Sequence, residues 1–137
     1  MTSLEIKVSL SGEELAALQL PEVRAMRRHL HRHPELSFQE HATMDYIAEK
    51  LSAFGIPYTK GLAGTGLVAL IEGQEPHCKI TALRADMDAL PIQEVAGRSY
   101  GSIHPGVMHA CGHDAHAASL LGAANLLMQT RDQWKGT

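Results

Sequence analysis

The chain has 137 residues, 45% hydrophobic and 20% charged, with a formal net charge of −3. This is the composition of one globular domain, and it excludes a disordered or collagen-like polymer and argues against bulk attraction to nucleic acid. No apolar run approaches the roughly 20 residues of a membrane span, and residues 1–10 lack the apolar core of a signal peptide, so a soluble cytoplasmic protein with no membrane partner is expected.

Leu4, Ile6, Val8 and Leu10 alternate with polar residues, the period of a half-buried strand. Ser11 and Glu14 are spaced as a capping box and predict a short helix. Pro21 suits a first helical turn and predicts a second helix with Val23, Met26 and Leu30 on one face, stopping near His33 before Pro34. Ser37 and Glu40 form another capping box ahead of a third helix, whose stripe of Met44, Ile47, Leu51 and Phe54 closes at Gly55. Gly61, Gly64 and Gly66 read as turn residues. The apolar runs 67–71 and 78–83 predict a hairpin across the break at 73–77. Asp114 is placed to cap a last helix reaching about Thr130, whose Ala117, Ala118, Leu120, Leu121, Ala124, Leu127 and Met128 need cover on more than one side.

Nine histidines are unusual at this length, and three of them crowd with a thiol and a carboxylate into His109, Cys111, His113, Asp114 and His116. In an extended segment Cys111 and His113 face one side, with Gly112 permitting a tight turn between them. Sulfur plus imidazole suits Zn, Fe, Co or Ni better than Mg or Ca. A bland alternative makes Cys111 a small hydrophobe and Asp114 only a cap, but capping a helix does not require several ligand types at usable spacing. Asp86 and Asp88, two apart where the run 78–83 ends, can face one point as ligands or as carboxylates that orient a metal-bound imidazole. Taken alone they also fit a solvated loop with Arg84 as partner. Arg24, Arg27, Arg28 and Arg32 suggest a basic face for nucleic acid. Complementing the macrodipole of a helix C-terminus explains them better, and 4% aromatic content offers few stacking platforms.

The ordered segments 28–37 with Glu40, 64–66, 84–91 and 106–116 resemble the motifs of metal-dependent amidohydrolases and metallopeptidases, the family of hippurate hydrolase, N-acyl-L-amino acid amidohydrolase and the indole-3-acetyl-amino-acid hydrolases. The resemblance implies an α/β fold, the N-terminal part of a zinc-peptidase-like catalytic domain with a mixed sheet flanked by helices. It implies cleavage of N-acyl amino acids or short peptides by a metal-activated water, with two divalent metals (Zn, Mn, Co or Ni) per complete site. Cys111 and His113 match two family metal ligands. Asp88 matches the aspartate that orients a ligand and so has a supporting catalytic role, while Asp86 stands where the wider superfamily has a ligand histidine. Residues 133–137 resemble the lead-in to a strand that carries paired glutamates in the family. On this expectation residues 1–137 are a partial catalytic domain, inactive alone, and the general base, the remaining ligands and a smaller lid or dimerisation domain lie outside it, with a homodimer possible in the complete enzyme. The competing expectation is a truncated, non-catalytic module that binds metal or a partner chain.

Overall fold

The structure, a computed structural model, describes residues 10–137, so the alternating segment at 4–10 lies almost wholly outside the described residues. Helix α1 (Gly12–Arg32) starts at the expected capping box: Glu14 N–H donates to Ser11 Oγ at 3.3 Å and Ser11 N–H to Glu14 Oε2 at 2.8 Å. It then runs through Pro21 without a break, in place of the two expected helices. Proline removes only the bond to the carbonyl of Ala17, and both residues are exposed, so the vacant acceptor is open to solvent.

Helix α2 (His41–Ala53) is capped differently from the expected Ser37/Glu40 box. The Glu35 carboxylate accepts from Ala42 N–H at 3.2 Å and Thr43 N–H at 2.7 Å. These are orphan donors of the first turn, and a carboxylate also complements the dipole there. Glu40 instead accepts from the buried Thr65 hydroxyl at 2.7 Å. At the other end Gly55, at φ +71, lets Ile56 N–H return to Leu51 O at 2.9 Å, the closing bond of a Schellman turn.

Strands β1 (Tyr58–Leu62) and β2 (Gly66–Ala69) form an antiparallel hairpin with Tyr58 opposite Ala69 and Lys60 opposite Leu67. The apolar run after Gly66 therefore pairs backward, not forward with 78–83 as expected. The tight turn is at 61–64, where Gly64 N–H bonds Gly61 O at 3.1 Å and both glycines have positive φ. Residues 78–83 form no strand; Thr81 N–H reaches Thr137 O, Thr137 N–H reaches Lys79 O, and Ile80 is 80% exposed.

Helix α3 (His113–Gln129) packs mainly along α1 and closes the core of Met26, Leu30, Leu51, Ile56, Ala117, Ala118 and Leu121. The helices meet closely: a Cβ on Gly122 would lie 2.6 Å from Val23 Cγ2. Asp114 is not the cap of α3. Gly112 holds that position at φ +89, and Asp114 turns inward to α1. Helices on a small antiparallel sheet make this a mixed α/β fold, as expected.

Candidate metal centre

Two chain segments meet at the start of α3. The first carries Asp86 and Asp88 and is clamped between neighbours: Ala89 N–H bonds Glu35 O at 2.7 Å, and Leu90 and Met108 exchange backbone bonds of 2.9 and 3.0 Å. The second runs from Met108 through the turn at Cys111 and Gly112 into His113. The 34–36 segment thus has two structural roles, capping α2 and bracing the aspartate segment.

His113 is the centre of the arrangement. Its Nδ1 lies 2.8 Å from Asp88 Oδ1 and 2.9 Å from Asp88 O. Both are acceptors, so Nδ1 carries the proton and the Nε2 lone pair is left free. Ser37 Oγ–H donates to the other Asp88 oxygen at 2.5 Å, and this bond, then that of His113, holds the Asp88 carboxyl below its usual range against the opposing effect of burial. The result is a directed chain, Ser37 to Asp88 to His113, of the kind that fixes the tautomer and ring orientation of a ligand histidine.

Around the free nitrogen, one donor atom each from Asp86, His113 and His116 lies within 4.8 Å of the others. His113 Nε2 is 4.0 Å from Asp86 Oδ2, and Arg84 holds the other Asp86 oxygen at 2.6 Å. Two imidazoles and a carboxylate fit a first-row divalent ion. His116 follows His113 by three residues on one helix, so the shared face was readable in the spacing although the expected ligands were Cys111 and His113. Cys111 is exposed and stands outside this group of three.

Behind the site is a buried polar network. Asp114, 1% exposed, accepts from His31 Nδ1 at 2.8 Å and from Arg27 Nε at 3.1 Å. Burial by itself would raise the Asp114 carboxyl, but the bond from His31 and the charges of His109 and Arg27 outweigh it and hold it below its ordinary range. His31 Nε2 contacts Glu94 Oε1 at 3.1 Å. Arg32 Nη1 donates to Ser99 O, and Arg28 stacks over Tyr100, so these two arginines of α1, like Arg27, serve contacts within the fold. His109 is 4% exposed, neither ring nitrogen is hydrogen-bonded among the described residues, and burial pushes its imidazole below the usual value.

Residues 82–137, the stretch that includes the centre, match Peptidase family M20/M25/M40. The chain is 50% identical over 115 residues to an N-acyl-L-amino acid amidohydrolase of Geobacillus stearothermophilus, covering 84% of this chain and 31% of that one. It is 43% identical to the Bacillus subtilis YXEP protein, a dinuclear metal binding peptidase from the M20 family, with a TM-score of 0.80 over 90% of this chain and 34% of that one. The chain is related to the M20 hydrolases. An Arabidopsis thaliana relative, IAA-amino acid hydrolase ILR1-like 5, is 44% identical over 82% of this chain and 25% of its own length. The chain thus spans about a third or less of the length of the curated relatives it matches. Among the described residues no helix is long and apolar enough to cross a membrane.

Proposed function

We propose that residues 1–137 are part of the catalytic, metal-binding domain of a cytoplasmic M20-type amidohydrolase that cleaves the amide bond of N-acyl amino acids or short peptides. The observation that carries this reading is the His113 ring, held by Asp88 with its second nitrogen free beside Asp86 and His116. His113 and Cys111 are the proposed ligands, and Asp88 is the positioning residue for His113. Divalent ions, two in a complete site and drawn from Zn, Mn, Co or Ni, supply when bound an electrophile that acidifies water and polarises the scissile carbonyl. The chain's own contribution is preparatory: Asp88 keeps the proton on Nδ1, Ser37 steadies Asp88, and the bridge between Leu90 and Met108 holds the two donor-bearing segments side by side. Cys111, at the exposed turn before Gly112, contributes a thiolate donor on deprotonation.

The test is release of free amino acid from a panel of N-acyl amino acids by the native protein, isolated at its natural length from its source cells and supplied with each metal in turn. The reading predicts hydrolysis that a chelator abolishes and metal restores. Native protein that binds metal yet hydrolyses none of the panel would remove the substrate assignment.

A further inference from the structure

We propose that His31 is a positioning residue for the metal centre, a clamp between the two segments that carry its donors. The inference rests on the metal-binding reading above and assigns a role to a residue distant from the donors themselves.

His31 lies near the end of α1, 1% exposed, and each ring nitrogen meets a different segment. Nδ1 meets Asp114, the neighbour of His113 in the first turn of α3. Nε2 meets Glu94, on the segment that leads away from Asp86 and Asp88. Both partners are carboxylates, and an ionised carboxylate only accepts, so each segment presents an acceptor to the ring, at 2.8 Å for Asp114 and 3.1 Å for Glu94. One buried side chain thus meets both segments, with one ring nitrogen turned to each. Charge-assisted bonds of this kind are roughly twice as strong as neutral ones and are specific in direction.

The surroundings support a clamp. Glu94 Oε2 also accepts from Ser102 N–H at 2.6 Å, and Ile103 N–H bonds Arg32 O at 3.0 Å, so the loop joining the two segments is tied to the same end of α1. Arg27 flanks the network at Asp114 and Arg98 at Glu94. A purely apolar anchor at this position would fill the space but would not dictate the distance between the segments. Removing the ring leaves the donors present but loosely placed, and supporting residues of this kind govern metal affinity.

The test is Co2+ affinity by chelator competition, with far-UV circular dichroism of the metal-free protein as the control for folding and 15N NMR to read the His113 tautomer. His31→Gln keeps two polar atoms but not the two opposed ring nitrogens that reach both carboxylates. It is expected to weaken Co2+ binding by about 10-fold to 100-fold and to blur the Nδ1–H preference of His113. Glu94→Ala cuts one arm in a loop outside the helix core and is expected to move both readouts in the same direction, so it decides the matter if His31→Gln does not fold. Variants that only lower the unfolding midpoint, with Co2+ affinity and the His113 tautomer as in the unsubstituted protein, overturn the clamp. Unsubstituted protein that binds no Co2+ overturns the metal-binding reading instead.

Discussion

Replacing Asp88 by alanine removes the carboxylate that bonds the His113 ring, while the Asp88 main-chain carbonyl, 2.9 Å from Nδ1, stays in place. The ring therefore keeps one acceptor and loses the charged one. Loss of a carboxylate partner behind a ligand histidine costs about 10-fold to 100-fold in metal affinity, which is about 1.4–2.7 kcal/mol. Asp88→Asn retains an acceptor without the charge and should fall between alanine and the unsubstituted protein. Ser37→Ala removes only the donor that steadies the far carboxylate oxygen and should cost least. The expected order of Co2+ dissociation constants is thus unsubstituted, Ser37→Ala, Asp88→Asn, Asp88→Ala, from tightest to weakest, measured by competition with a chelator at constant pH. Asp88 is only partly buried, so unfolding in urea should change far less than affinity. Metal affinity unchanged in Asp88→Ala would refute the orienting role.

Two further predictions concern the fold around the site. The Glu94 carboxyl lies below its ordinary 4.5, chiefly because Ser102 N–H bonds it, with His31 and Arg98 adding to that effect against the desolvation of burial. Below pH 4.5 the unfolded chain then binds more protons than the folded one, so this stabilisation is complete above that pH and is lost as pH falls through the lower folded value. Urea unfolding across pH 5 to 3 should show stability declining with acid and a shallower decline in Glu94→Gln; equal slopes would contradict the assignment. Gly122→Ala brings a Cβ against Val23 Cγ2, whose β-branched side chain is stiff in a helix, and the overpacking of about 1–3 kcal/mol should exceed the roughly 1 kcal/mol gained in helix propensity. In a Val23→Ala background the same substitution should become stabilising, and an unchanged sign would mean that the helix contact is looser than described.

What was legible in the sequence follows from the range of each interaction. The Ser11 and Glu14 box and the Gly55 stop were readable because both ends of each bond lie within one turn of chain. Ser37 and Glu40 have the same spacing, yet distant partners claim both side chains, Asp88 for one and Thr65 for the other, and the true cap comes from Glu35. Asp114 was misread as a cap for the same reason, since its partner His31 is far away in sequence. At Pro21 the propensity for helix starts was overridden by packing of α1 along α3, which rewards a continuous helix. The shared helix face of His113 and His116 was legible because a three-residue spacing sets it, whereas the approach of Asp86 from a separate segment is a tertiary contact. The brace behind them was not legible, because it joins α1, a loop and α3.

The central claim is that these residues hold a divalent metal through His113. The most direct measurement is titration of the metal-free protein with Co2+, following the visible d–d bands and the near-ultraviolet thiolate-to-cobalt charge transfer. The account predicts saturable binding that His113→Ala abolishes, with a charge-transfer band that disappears in Cys111→Ser. Absence of saturable binding, or binding that survives His113→Ala unchanged, would contradict it.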